Sequence, residues 1–118
     1  MGSPGLDSVW IMPDGMAHPV FDHTMCLFGD FSDRRWTTFR GERYTKFIER
    51  VSGITLRQAT MTNDDVTTIA DALEQYTITK QDLQIIAVCE LIDLRLMFRR
   101  YGECGATLVG FGGINHDV

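Results

Sequence analysis

The first 33 residues contain five aspartates and not one lysine or arginine. A secretory signal opens on a basic stretch followed by an unbroken apolar run, and residues 1–20 supply neither, so none is expected. Cysteine is scarce and odd in number: Cys26, Cys89 and Cys104, with no C-x-x-C pair. This argues against a disulfide framework and for a reducing cytoplasm. The longest unbroken apolar run of the strongest helical segment is "IIAVC", far below the roughly 20 residues of a membrane span. No membrane partner is therefore expected. No serine stands in a G-x-S-x-G elbow. "GFGG" at 110–113 lacks the lysine and the following helix of a phosphate loop, and reads as a strand end or a close backbone approach. No internal repeat or low-complexity stretch occurs.

What is present is ordinary globular material. The apolar share is 44%, enough for a packed core, and 118 residues suit one domain. The expected unit is a single domain over 1–118, with 1–7 and 114–118 as loose ends. Charge is blocked along the chain. Residues 34–57 hold seven bases against Glu42 and Glu49, whereas residues 58–93 hold seven acids against Lys80. Such blocks mark either a binding face or internal pairing.

"SVWIM" (8–12) predicts a short strand, ended by the turn Pro13-Asp14-Gly15. "VFDHTMCLF" (20–28) fits strand or helix, and "RRWTTFR" (34–40) suits a sheet. In 41–53, Tyr44, Phe47, Ile48 and Val51 make one helical stripe, with Gly53 at the C-terminal glycine position. "ITLRQATM" (54–61) predicts a strand or extended loop. Thr62 is expected to cap a helix whose stripe is Val66, Ile69, Ala70, Leu73 and Tyr76. "TKQD" repeats the capping pattern at Thr79, which predicts a long central helix from Lys80 to about Tyr101, stopped by Gly102. "GATLVGFGG" (105–113) closes the chain as a strand. The sum is an α+β fold: a small antiparallel sheet with about three helices on one face.

The long C-terminal helix carries the most functional information. Leu83, Ala87, Leu91, Leu94, Phe98 and Tyr101 form one apolar row. Ile85, Cys89, Ile92 and Leu96 form another, roughly opposite. A helix apolar on two sides is covered on two sides. It is either the centre of the domain or lends one face to another chain.

The run "MTNDDVTTIADALEQY", followed by a helix ending "FRRYGECGATLVGFG", resembles a group of small bacterial and phage proteins of uncharacterised function. They share an "xxDDVxxIADAL" helix and a glycine-containing C-terminal strand. The resemblance covers Met61 to Gly112. It implies a bacterial or phage origin and no particular activity.

Three readings of function follow. The first is a non-catalytic protein-binding module (an inhibitor, adaptor or regulator). Its interface would include Ile85, Ile92, Leu96 and Arg99, its partner being another protein or a second copy, and it needs no cofactor. The second is a nucleic-acid-associated regulator using Arg34, Arg35, Arg40, Arg43, Lys46 and Arg50, with Trp36 and Phe39 interleaved. The overall acidity of the chain weighs against strong phosphate affinity. The third is a small metal-dependent enzyme on "HPVFDHTMC". There a helix would bring His18, Asp22, His23 and Cys26 near one face, while a strand would separate them. For cysteine chemistry, Cys26 needs His23 within reach, Cys89 reads as inert core, and Cys104 lies in an exposed turn without a base.

Overall fold

The computed structural model describes residues 8–21 and 38–110. Their order is β1 (Ser8–Ile11), β2 (Thr38–Phe39), α1 (Gly41–Ser52), β3 (Thr60–Met61), α2 (Asn63–Gln75), a 3-10 turn at Asp82–Gln84, α3 (Val88–Glu103) and β4 (Thr107–Val109). The sheet runs β2-β1-β4-β3 and every neighbouring pair is antiparallel. The fold is thus α+β with a four-stranded antiparallel sheet and three α-helices among the described residues. None of these helices is long and apolar enough to cross a membrane.

Period-two alternation decides which face meets the helices. Trp10 stands opposite Leu108, which stands opposite Met61, while Phe39 stands opposite Ser8. All of these are buried. The reverse row of Thr38, Val9, Val109 and Thr60 is half-buried or exposed. The helices therefore pack on the Trp10 side. There Tyr101 stacks on the Trp10 ring with centroids 4.2 Å apart, and Phe98 meets Trp10 edge-on at 5.4 Å.

Local signals set most boundaries. Gly15, at φ 79°, forms the turn in which the Met16 N–H donates to the Pro13 carbonyl. Gly53, at φ 80°, ends α1 and donates to the Glu49 carbonyl, a conformation that costs glycine least. The Thr62 hydroxyl accepts from the Asp65 N–H and starts α2. Of the 54–61 stretch, only Thr60–Met61 joins the sheet. The glycine after β4 is a close approach: a Cβ on Gly110 would lie 2.2 Å from the Leu56 carbonyl oxygen.

The long helix over 80–101 is the main correction. The Thr79 signal is real, but it starts one turn. The Thr79 hydroxyl accepts from the Asp82 N–H, and the Asp82 carboxylate accepts from the Thr79 N–H and hydroxyl. The Ile85 and Ile86 N–H groups both donate to the Asp82 carbonyl, which closes that turn. Ile85, Ile86 and Val88 are β-branched and favour helix continuation weakly. The helix begins again at Ala87, whose N–H donates to the Glu90 carboxylate at 2.8 Å. Its other end also lies beyond the expected stop. Gly102 is helical and packs against Thr67 of α2. The helix ends where the Ala106 N–H reaches the Tyr101 carbonyl and the Gly105 N–H reaches the Gly102 carbonyl, with Gly105 at φ 80°. That is the Schellman arrangement, with Gly105 as its left-handed residue.

Candidate protein-docking face

The helix α3 is held by α2 alongside it, running in the opposite direction. At one end the Asn63 side chain donates to the Gly102 and Ala106 carbonyls. Toward the other, Arg95 donates to the Leu73 and Tyr76 carbonyls at 2.7 Å each. These acceptors lie at the C-terminus of α2, where carbonyls lack helical partners. Because α2 ends at Gln75, the first two turns of α3 project past it.

The two apolar rows now separate. Leu91, Leu94, Phe98 and Tyr101 are buried. On the opposite side Ile92 is 55% exposed and Val88 51%, continuing into Ile85 at 59%. Cys89 is exposed between them, so it is not inert core. Leu96 is half-buried against the core. Cys104, at the C-terminal end of the helix, is half-buried rather than exposed. Leu83 and Ala87, placed by the continuous-helix reading in the inner row, are exposed instead. Both precede the true helix start, so their phase relative to α3 is lost. Leu83 and Val88 therefore join the outward apolar residues that the sequence reading did not assign there. Around Val88 and Ile92 the second face of α3 has no cover among the described residues.

Arg99 lies at the edge of this face. Its guanidinium donates to Glu74 at 2.8 and 2.9 Å and to Asp71 at 2.6 Å. The hydrogen bonds from Arg99 hold the Glu74 carboxyl below its usual range, and Arg99 itself is raised by Glu74 and then Asp71.

The basic block distributes its charge inward. Arg43 donates to Glu90 at 3.2 Å, and the Tyr44 hydroxyl donates to the same carboxylate at 2.6 Å. Burial pushes the Glu90 carboxyl up, but the Ala87 N–H, Tyr44 and Arg43 together outweigh it and hold the group low. Arg50 pairs with Asp82, which also accepts from the Tyr76 hydroxyl at 2.5 Å. Tyr76 first, then Arg50 and the Thr79 N–H, hold the Asp82 carboxyl far below the usual carboxylate range. Two bases of the Arg43–Lys46–Arg50 stripe thus serve fully or nearly buried acids of their own chain, while Lys46 is exposed. Arg40 is half-buried. Arg34 and Arg35 lie outside the described residues. On the spacing of one continuous helix over 80–101, Asp82, Glu90 and Asp93 would lie with Arg100 between the two apolar rows. All three acids are buried. The signal available for this was the excess of base in α1 over its own acids.

Of the "HPVFDHTMC" residues, His18 is described, while Asp22, His23 and Cys26 lie outside. His18 is half-buried, its Nδ1 is 3.1 Å from the Tyr101 hydroxyl, and its ring meets Tyr101 edge-on. Among the described residues, no group of three or more His, Cys, Asp or Glu side chains could hold a metal ion.

No protein-family model matches this chain, and no curated protein or solved structure matches it either.

Proposed function

We propose that the chain is a non-catalytic protein-binding module (an inhibitor, adaptor or regulator in a bacterial or phage cytoplasm) that docks through the outer face of α3. The observation carrying this reading is that Val88 and Ile92 stand in water on the side of α3 opposite its buried row, with exposed Ile85 in the turn just before the helix. Single exposed apolar residues are common on protein surfaces, but a contiguous group marks an interaction site. At about 25 cal/mol per Å² of apolar surface, covering such a group gives a partner a sizeable share of its affinity. Ile92 forms the centre, Ile85 and Leu96 extend it along the chain, and Arg99 borders it.

The test compares two baits, the natural chain and the Ile85→Asp/Ile92→Asp variant, with thermal unfolding of both as a check on the fold. The expected result is equal folding and loss from the variant of the proteins the natural chain retains. Retention of the same proteins by both baits would overturn the reading.

A further inference from the structure

Residues 77–87 join α2 to α3, and little holds them down. Asp82 and Ile86 are the only buried residues among them, Ile78 is half-buried, and the rest are exposed. We propose that this segment is a latched extension of α3: it is clasped to α1 through Asp82, and when the clasp opens it straightens into one helix with α3.

The clasp is a charge removed from water. The Asp82 side chain has no exposure, and an ionised carboxylate tolerates that only while hydrogen bonds replace the lost water. Arg50 of α1, the Tyr76 hydroxyl at 2.5 Å, and the N–H and hydroxyl of Thr79 supply them. A second clasp lies on the α3 side of the break. There Glu90 accepts from the Ala87 N–H at 2.8 Å and is held by Tyr44 and Arg43 of α1. In a continuous helix the Ala87 N–H would instead meet the Leu83 carbonyl. Both clasps run to α1, and they flank the same break.

Nothing in the segment itself demands that break. Residues 77–87 contain no glycine and no proline. Ala87 is extended, at φ −82° and ψ 156°, yet alanine is the best helix former and among the poorest N-caps. The neighbouring Ile85, Ile86 and Val88 lower helix preference only modestly. Backbone bonds of the helical kind, from residue i to i−4, already stand on both sides: Leu83 to Thr79, Ile86 to Asp82, and Leu91 to Ala87. Side-chain phase also runs through the break. Ile85, Cys89, Ile92 and Leu96 keep the three- and four-residue spacing of one helical face, and so do the buried Asp82, Ile86, Glu90, Asp93 and Met97. A permanent break frees its two sides from a common phase, whereas a helix that forms in one of two states requires it.

Straightening moves Ile85 from the turn before α3 into line with Cys89 and Ile92. Its effect on docking rests on the outer face of α3 being a docking face. The straightening itself does not, and its test needs no partner.

The experiment reads backbone carbon chemical shifts of the full chain by NMR. Arg50→Gln with Tyr76→Phe takes two partners from Asp82 without altering a residue of 77–87, so a gain of helix there is not a change of propensity. Ala87 should move from an extended to a helical shift in this double variant, with Leu94 and Met97 unchanged. Adding Val88→Pro should abolish the move. Proline suits the first helical position and holds the residue before it extended, as Ala87 already is. An Ala87 shift that stays extended in the double variant overturns the proposal, as does a 77–87 segment that turns to coil. A helical Ala87 shift that survives Val88→Pro overturns it too. So does a double variant that unfolds as a whole, since a latch is separable from the fold. None of these results touches the two-bait comparison, so the two failures are distinguishable.

Discussion

Leu94 and Ile92 are two residues and about half a turn of helix apart. Both are branched aliphatic residues on α3. Leu94 is fully buried beneath the sheet-facing core, whereas more than half of Ile92 stands in water. Amphipathicity explains the first and not the second. The inner row of α3 serves the fold. The outer row around Val88 and Ile92 is apolar and exposed, which packing of the core does not account for.

The contrast can be broken most sharply from the inside. Leu94→Ala removes fully buried methyl groups and should cost about 3 kcal/mol of unfolding free energy, the middle of the range for buried leucines. Denaturant titration measures it. A loss below about 1 kcal/mol would mean that the inner row is not the core. Next comes the carboxylate that starts α3. Glu90→Ala removes the acceptor of both the Tyr44 hydroxyl and the Ala87 N–H. The expected loss is about 2 kcal/mol, read by the same titration. An unchanged midpoint would remove Glu90 from its role at the helix start.

Acidification probes the same inner acids with a smaller effect at mild pH. Asp82 and Glu90 are held below their ordinary values in the folded chain. The unfolded chain therefore takes up protons first as the pH drops. Stability should be constant above about pH 5 and fall steadily below it, through the ordinary carboxylate range toward the lower folded-state values. The thermal midpoint against pH reads this out. Asp82→Asn should begin less stable and show a shallower fall, and an equal slope in both proteins would contradict the account of Asp82.

How much of this was readable from residues alone follows the same division. Periodicity found α1, α2 and the opposition of the two α3 rows, because the apolar pattern of a packed helix repeats along the chain itself. It failed at 80–87 for an identifiable reason. The Thr79 capping pattern is local, but what stops the turn is Asp82, held by Arg50 from a helix 32 residues earlier and by Tyr76. Long-range ion pairs leave no period in a sequence. The same blindness put Leu83 in one row with Leu91 and Leu94, and left Val88 unassigned. A glycine late in a helix usually marks its stop, whereas here Gly102 lets Thr67 approach and Gly105 ends the helix. Ile85, Ile92, Leu96 and Arg99 were all placed on or beside one face by spacing. Which face meets water required the sheet.

The weakest of the perturbations lies at the border of the outer face. Arg99→Ala breaks ion pairs with Asp71 and Glu74, both well exposed, and such pairs contribute at most about 1 kcal/mol. Stability should barely move, and the Glu74 carboxyl should return toward its ordinary range, which carbon-detected NMR titration follows. A large destabilisation would move Arg99 from the border of the face to the fold.

The central claim is that Val88 and Ile92 on the outer side of α3 serve docking and not the fold. Comparing the thermal midpoints of the natural chain and Ile92→Asp, beside the proteins each retains as bait, tests it most directly. The account predicts equal midpoints, because an exposed position contributes little to folding, together with loss of the retained proteins from the variant. An Ile92→Asp midpoint lowered like that of Leu94→Ala, or the same proteins on both baits, would contradict it.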